Sequence, residues 1–121
     1  MKIWLPFPPS TNGLFTNAGR GGRNLSPRYR AWREEAAAAL LQQPQAKTKF
    51  TVPVSIHIAL TAPTKAHRDA SNYIKGIEDL LVQHGILEDD DERFVRSVTV
   101  EWQTPPADEP GAIVTIEEWR K

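Results

Sequence analysis

Cysteine is absent from this chain of 121 residues. Its absence excludes disulfide bonds, thiolate nucleophiles and zinc sites built on cysteine, and it suits a reducing compartment. Long apolar runs are absent too, since no segment approaches the roughly 18 apolar residues of a membrane span. The first segment, MKIWLPFPPS, has too short an apolar run and too much proline for a signal peptide. These absences predict a soluble, cytoplasmic protein with no membrane partner.

Length and composition favour one globular domain. Hydrophobic residues make up 40% of the chain and charged residues 25%, as in folded proteins and unlike disordered ones. A chain of 121 residues is near the commonest domain size and is long enough to bury a core. We therefore expect residues 1–121 to form a single domain.

The neutral net charge hides a strong division along the sequence. Residues 1–68 contain ten basic and two acidic side chains, whereas residues 69–121 contain five basic and thirteen acidic ones. The two parts therefore carry charges of +8 and −8. Such asymmetry indicates a polyanion partner, such as nucleic acid, for the basic part. A neutral surface divided by chance would give the same numbers.

The first half of the chain predicts a strand, a long loop and a helix. Residues 2–7 alternate between apolar and other side chains, which is typical of a strand. Residues 8–25 are rich in glycine and arginine and predict a basic loop, and loops of this length are usually either functional or disordered. A helix should begin at the capping residue Ser26, with Pro27 in its first turn, and end before Pro44. Its expected buried face comprises Tyr29, Trp32, Ala36 and Leu40.

The second half predicts three strands and another helix. The strands are expected at residues 51–63, 93–103 and 112–119, and the helix at 71–87 with Gly85 as its stop. Its apolar stripe comprises Ile74, Ile77, Leu80 and Leu81. In the strand at 51–63, His57 is expected on the polar face of the sheet. The order β-α-β-α-β-β predicts an α+β fold, with helices packed on a four-stranded mixed sheet.

Five consecutive acids, EDDDE at residues 88–92, form the most unusual segment. Their mutual repulsion is compatible with a solvated turn, but it also suits a divalent-metal site, because Mg²⁺ prefers carboxylate oxygens. The run lacks the alternating ligand spacing of an EF-hand. The sequence also contains no P-loop, nucleophile elbow or histidine-rich zinc pattern.

More polar side chains precede the acid run on the second helix. At helical spacing, Asn72, Lys75 and Asp79 fall opposite the apolar stripe, and Asp69 lies just before them. An ordinary solvated helix face would show the same pattern. If the strand after the acid run pairs with the strand ending near Leu60, Asp69 and the acid run would meet at one end of the sheet. Carboxylates from separate segments together with a lysine would suit phosphodiester hydrolysis.

Three stretches in this order carry a family resemblance: LPFPPSTN, RDASNYIKGIEDLL and GILEDDDERFV. On them, and over nearly its whole length, the chain resembles the RusA family of Holliday junction resolvases. The resemblance implies a compact mixed α/β homodimer that cuts two strands of a four-way DNA junction in recombination and repair. It also implies Mg²⁺ as the cofactor, with Mn²⁺ as an alternative ion.

The same resemblance assigns roles to particular positions. The implied catalytic residues are Asp69, Lys75 and Asp90, and the implied metal carboxylates are Asp69, Asp79, Asp89 and Asp90. Ser71 and Asn72 would support the site. DNA would be held by the basic loops, with Asn12, Arg20, Arg23, Lys65 and Arg68 as the candidate contacts.

One position departs from the family pattern. Two residues after Asp69 the family has a carboxylate, whereas this chain has Ser71, a poorer Mg²⁺ ligand. Three outcomes remain open: Asp79 or Asp91 takes its place, the site binds metal weakly, or cleavage is lost. The last outcome would leave a protein that binds branched DNA without cutting it. Ser71 is also a candidate cap for the second helix. A domain unrelated to DNA would leave the basic half of the chain unexplained.

Overall fold

The computed structural model describes residues 1–17 and 23–120. The strands are β1 (Lys2–Leu5), β2 (Phe15–Asn17), β3 (Arg23–Leu25), β4 (Val54–Thr61), β5 (Val95–Trp102) and β6 (Gly111–Glu118), and the helices are α1 (Pro27–Leu41) and α2 (Lys75–Gln83). Three short 3₁₀ turns cover Thr11–Gly13, Pro44–Lys47 and Ala70–Tyr73. The α+β class and the order of the main elements confirm the prediction. Neither α1 nor α2 is long and apolar enough to cross a bilayer.

The main sheet has the strand order β1-β6-β4-β5. β6 runs antiparallel to both β1 and β4, whereas β4 and β5 are parallel. The predicted four-stranded mixed sheet is therefore confirmed. In the parallel pair, Val54 lies opposite Val95 and Leu60 opposite Trp102. The acid run therefore precedes the end of the sheet where β4 begins, whereas Asp69 follows the end where β4 finishes. The strand ends alone do not bring the two segments together, so their meeting stays a prediction.

One face of the sheet, one face of α1 and the apolar stripe of α2 form the core. The side chains predicted for α1 are all buried, as are alternate residues of β4 and β6. The cap of α1 is also as predicted, since the Ser26 hydroxyl accepts a hydrogen bond from the Tyr29 amide at 3.0 Å and Pro27 is the first helical residue. The opposite sheet face is polar. There His57 pairs with Glu101 at 2.9 Å, as expected of a sheet-face histidine.

The predicted basic loop contains a small hairpin. β2 and β3 pair antiparallel, with Phe15 opposite Leu25, so the prediction that 8–25 is entirely loop is wrong. Strands of three residues each are too short to show the alternation on which strand prediction depends. The hairpin matters because it stands beside the polar face of α2.

Helix α2 begins later than its sequence pattern indicates. Ala70–Tyr73 form a 3₁₀ turn, and the residue preceding α2 is Ile74, which provides no side-chain cap. The expectation that Ser71 caps the helix is therefore wrong: Ser71 is exposed inside the turn. The end is as predicted, because Gly85 adopts a φ of +83°, which glycine tolerates best.

The two edges of the main sheet are finished differently. On β1, the Gln43 side chain accepts from the Trp4 amide at 2.7 Å and donates to the Trp4 carbonyl at 2.8 Å. Gln45 donates to the Lys2 carbonyl at 2.9 Å. These amides imitate a neighbouring strand, so the β1 edge is covered against pairing with another chain. In the described part of the chain, no side-chain amide covers β5 in this way.

We expect Gln43→Ala to lower the stability of the fold measurably. The change removes both hydrogen bonds to Trp4, each worth about 1 kcal/mol in a typical case and less where water replaces it. Thermal unfolding should therefore shift down by a few degrees. Gln42→Ala is the matched control, because Gln42 is exposed and its side chain makes no hydrogen bond among the described residues. Equal melting temperatures for the two variants would contradict this role.

Candidate active site

Lys75 connects two distant segments at the first turn of α2. Its Nζ donates to Asp90 Oδ2 at 3.0 Å and lies 3.1 Å from Asp79 Oδ1. Asp79 is one helical turn further along α2, so the pair follows the usual i,i+4 geometry. Asp90 arrives from the acid run, on the chain that returns after α2. One ammonium group therefore holds two carboxylates from separate parts of the sequence.

The acids of the run 88–92 have separate partners. Asp90 faces Lys75, and its amide donates to Asp89 Oδ1 at 2.8 Å. Asp91 instead accepts from the Arg93 amide at 2.9 Å and from the Arg93 guanidinium at 2.7 Å. Its carbonyl also accepts from Val95 at 2.9 Å, which ties the turn to the start of β5. Lys75 and Arg93 thus offset the repulsion within the run.

These partners place Asp79 and Asp91, the two acids that the sequence offers in place of a carboxylate at Ser71, in different surroundings. The hydrogen bonds from Arg93 lower the pKa of Asp91 to about 2, so Asp91 is committed to a fully ionised pair outside the Lys75 cluster. Asp79 lies inside that cluster. Of the two candidates from the sequence, Asp79 is thus the one that contacts Lys75, and its role in place of Ser71 stays a prediction.

The cluster has a distinct electrostatic character. Hydrogen bonds to Asp90, and secondly to Asp79, raise the pKa of Lys75, so its side chain stays cationic at working pH. Burial raises the pKa of Glu78, and the nearby charge of Asp90 raises it further. Glu78 was missed in the sequence, although its spacing of three from Lys75 places both on one side of a helix.

An open cleft of about 370 Å³ surrounds the cluster. Its wall residues come from the hairpin, α1, α2 and the acid run: Phe15, Leu25, Tyr29, Arg33, Lys75, Asp79, Val82, Gln83, Asp89 and Asp90. The hairpin and α1 thus stand opposite the carboxylates. The cleft offers carboxylate oxygens and two kinds of cationic side chain to a single bound group, which is the chemistry that a phosphodiester requires.

Three of the predicted residues lie in the segment before α2. Asp69 is exposed, and its carbonyl accepts from the Asn72 amide at 3.1 Å. Ser71 and Asn72 are exposed in the 3₁₀ turn. Within residues 1–17 and 23–120, the Asp69 carboxylate makes no hydrogen bond, and no three acidic or histidine side chains are arranged to hold a metal ion. The roles assigned to Asp69, Ser71 and Asn72 stay predictions.

The predicted DNA contacts are mostly exposed. Asn12 and Lys65 are open to solvent, and so is Arg23, whose guanidinium lies 5.6 Å from the centre of the Phe15 ring. Arg20 lies outside the described residues. Exposure is what a phosphate contact requires, but it does not by itself identify one, so these assignments stay predictions.

Arg68 is more constrained than the other candidates. Its guanidinium donates to the Thr64 hydroxyl at 2.8 Å and to the Ala66 carbonyl at 2.9 Å. It also lies 5.8 Å from the centre of the Phe7 ring. Arg68 therefore braces the loop that leads to Asp69, and a contact with DNA would add to that structural role.

Comparisons with known proteins show the family to which the chain belongs. A search of curated proteins found no match to the chain. A scan against family models matched residues 6–117 to the family described as Endodeoxyribonuclease RusA. The match covers nearly the whole chain and includes Lys75, Asp79 and Asp90. The chain therefore belongs to the RusA family of endodeoxyribonucleases.

Proposed function

We propose that this protein is a Mg²⁺-dependent endonuclease that cleaves four-way DNA junctions by phosphodiester hydrolysis, in recombination and repair. The observation that supports the proposal most is the contact of Lys75 with Asp79 and Asp90, at 3.1 and 3.0 Å. It joins a cation and two carboxylates in an open cleft of a chain that belongs to an endodeoxyribonuclease family.

Two carboxylates at one point support a hard divalent cation as the cofactor, because such ions prefer oxygen ligands. Asp79 Oδ1 and Asp90 Oδ2 both point at one ammonium nitrogen, so the two oxygens already share a position suited to positive charge. We propose that Asp79, Asp89 and Asp90, with Asp69 from the neighbouring segment, hold Mg²⁺ or Mn²⁺. When bound, the ion would lower the pKa of a coordinated water and screen the phosphate.

Lys75 and its neighbours supply the rest of the chemistry. The ammonium group stays protonated, because its pKa is raised by Asp90 and Asp79. It can therefore stabilise the negative charge that develops on the phosphate in the transition state. Asp79, one turn along α2, fixes the direction of the lysine side chain. Arg33, on the opposite wall of the cleft, adds a second cation near the substrate.

A homodimer would bring two such sites to the two strands of a junction. The edge of β5, which no side-chain amide covers within residues 1–17 and 23–120, supports this part of the proposal, since Gln43 and Gln45 occupy the β1 edge. The basic loops, with Asn12, Arg23, Lys65 and Arg68, would hold the DNA arms. Sedimentation should give twice the mass of one chain, and a monomer bound alone to a junction would contradict this arrangement.

The alternative function is binding of branched DNA without cleavage, and it rests on Ser71. The two functions separate when a synthetic four-way junction is incubated in Mg²⁺ or Mn²⁺ to measure cleavage and in Ca²⁺ to measure a gel shift. We expect a shift in Ca²⁺ and symmetric cuts in Mg²⁺, with little cutting of linear duplex. Binding without cuts in either ion would support the alternative, and equal cutting of duplex would contradict junction selectivity.

Ser71→Asp should increase the affinity for Mg²⁺. The change places a carboxylate two residues after Asp69, where the family has one, and the added charge is unfavourable until a metal binds. The variant should therefore melt lower than the parent in EDTA and gain more from Mg²⁺, because ligand binding stabilises the folded state. Its cleavage should exceed that of the parent at limiting Mg²⁺ and equal it at saturation.

An exposed threonine outside the site and outside β5 provides the control for this variant. Thr48 follows the turn Pro44–Lys47, so Thr48→Asp adds the same charge without changing the segment of Asp69 or the edge of β5. Titrating Mg²⁺ against melting temperature and cleavage rate compares the two variants. If Ser71→Asp responds to Mg²⁺ no more than Thr48→Asp does, position 71 is not at the metal.

A further inference from the structure

A second groove opens beside the cleft of Lys75, between α1 and α2. It has a volume of about 560 Å³, within the range of roughly 300–1,000 Å³ of ligand-binding clefts. Its lining residues are Leu25, Arg30, Arg33, Glu34, Ala37, Leu80, Gln83 and His84. Leu25, Arg33 and Gln83 also line the first cleft. The two openings therefore adjoin each other along these three residues.

We propose that this groove binds the sugar–phosphate backbone of the DNA strand that leads away from the cleavage position, with Arg30 and Arg33 holding its phosphates. This inference rests on the proposed function, since it takes the cleft of Lys75 as the place where a strand is cut. It adds a substrate-binding segment on α1 that the motifs of the sequence did not indicate.

The charges and shape of the groove select this occupant. Two guanidinium groups, those of Arg30 and Arg33, are set against one acid, Glu34. A guanidinium presents a planar pair of donors that matches two phosphate oxygens. Arg30 and Arg33 are three residues apart on one helix and so face the same side. Leu25, Ala37 and Leu80 provide the apolar surface that sugar rings can contact.

Arg33 holds the position where the two clefts meet. Its guanidinium carbon lies 5.4 Å from the centre of the Tyr29 ring, and Tyr29 is almost completely buried. A buried ring is a fixed platform for the arginine side chain. Burial and the charge of Asp79 raise the pKa of Tyr29, while the charges of Arg33 and Lys75 lower it. The charges of Arg33, Lys75 and Asp79 thus all act on the same Tyr29 ring.

The test compares two groove arginines with a third arginine on the same helix. Arg30→Ala/Arg33→Ala empties the groove of its guanidinium groups, whereas Arg28→Ala removes an exposed arginine outside it. Fluorescence anisotropy with a four-way junction in Ca²⁺, at several salt concentrations, gives the Kd and its salt slope. We expect the double variant to bind at least about 10-fold more weakly with a slope smaller by about 2, because two phosphate contacts are lost. Arg28→Ala should match the parent.

The other outcomes separate a failure of this inference from a failure of the proposed function. If the folded double variant, checked by its melting temperature, binds the junction as the parent does, the groove does not hold DNA, while the proposed function stands. If the double variant changes only the sedimentation mass, the groove is an interface between copies. If the parent never cuts but the double variant still binds more weakly, the groove contacts DNA and the proposed cleavage is wrong.

A conservative double variant separates charge from shape. Arg30→Lys/Arg33→Lys keeps both positive charges but replaces the planar donor pair with a single ammonium group. We expect it to retain the salt slope of the parent and to have an intermediate Kd. A Kd as weak as that of the alanine variant, with the parental slope, would contradict phosphate binding by charge.

Discussion

Asp90→Asn should abolish cleavage of a four-way junction, with a single-turnover rate at least about 100-fold below that of the parent. The substitution keeps the size of the side chain but removes the charge that faces Lys75 at 3.0 Å and the oxygen anion proposed to bind metal. Stability should change little, because a half-exposed ion pair contributes only about 0–1 kcal/mol. Melting temperature therefore serves as the folding check.

Glu92→Gln is the matched control for this prediction. Glu92 belongs to the same acid run and is exposed, and its side chain makes no ion pair among the described residues. Both substitutions remove one negative charge from the run, so a general effect of charge would appear in both. If Glu92→Gln stopped cleavage while Asp90→Asn did not, the assignment of Asp90 would be wrong.

Lys75→Met should slow cleavage by about 100-fold or more while leaving metal binding intact or stronger. The ammonium group competes with a divalent ion for Asp79 and Asp90, at 3.1 and 3.0 Å. Its removal leaves two carboxylates whose repulsion is relieved by Mg²⁺. The melting temperature should therefore rise more with Mg²⁺ in the variant than in the parent, although the rate of cleavage falls.

This opposite response distinguishes a catalytic lysine from a structural one. Lys49→Met is the control, because Lys49 is exposed and lies far from the cluster in sequence. The substitution removes the same charge. If Lys75 had only a structural role, Lys75→Met would lower the melting temperature both with and without Mg²⁺. Cleavage by Lys75→Met at the rate of the parent would contradict a role in catalysis.

The sequence predicted the fold well where local signals and periodicity agreed. The cap at Ser26, the apolar face from Tyr29 to Leu40 and the stop at Gly85 all lie where they were expected. Alternation in β4 was equally informative, because one side of that strand is buried. The hairpin of β2 and β3 could not be predicted, since its pairing depends on neighbours and not on a pattern within three residues.

The site was only partly accessible to sequence reasoning. Helical spacing correctly placed Lys75 and Asp79 on one face. The contact of Asp90 with Lys75 required the path of the chain after α2, and the pairing of Asp91 with Arg93 required the turn before β5. Nothing in the spacing of five adjacent acids distinguishes these two carboxylates. Arg33 was missed because the buried apolar face of α1 already accounted for that helix, and nothing in the spacing of its polar side chains indicates a site.

Replacing one carboxylate with a thiolate tests the central claim most directly, because the chain contains no cysteine of its own. Asp90→Cys puts a soft sulfur ligand where an oxygen is proposed to bind Mg²⁺. Single-turnover cleavage of a four-way junction should be compared for both proteins in Mg²⁺, Cd²⁺ and EDTA. We expect the parent to cut in Mg²⁺, and the variant to fail in Mg²⁺ and to recover in Cd²⁺. Cutting by the variant in Mg²⁺ at the rate of the parent, or by the parent in EDTA, would contradict a metal-dependent site at Asp90.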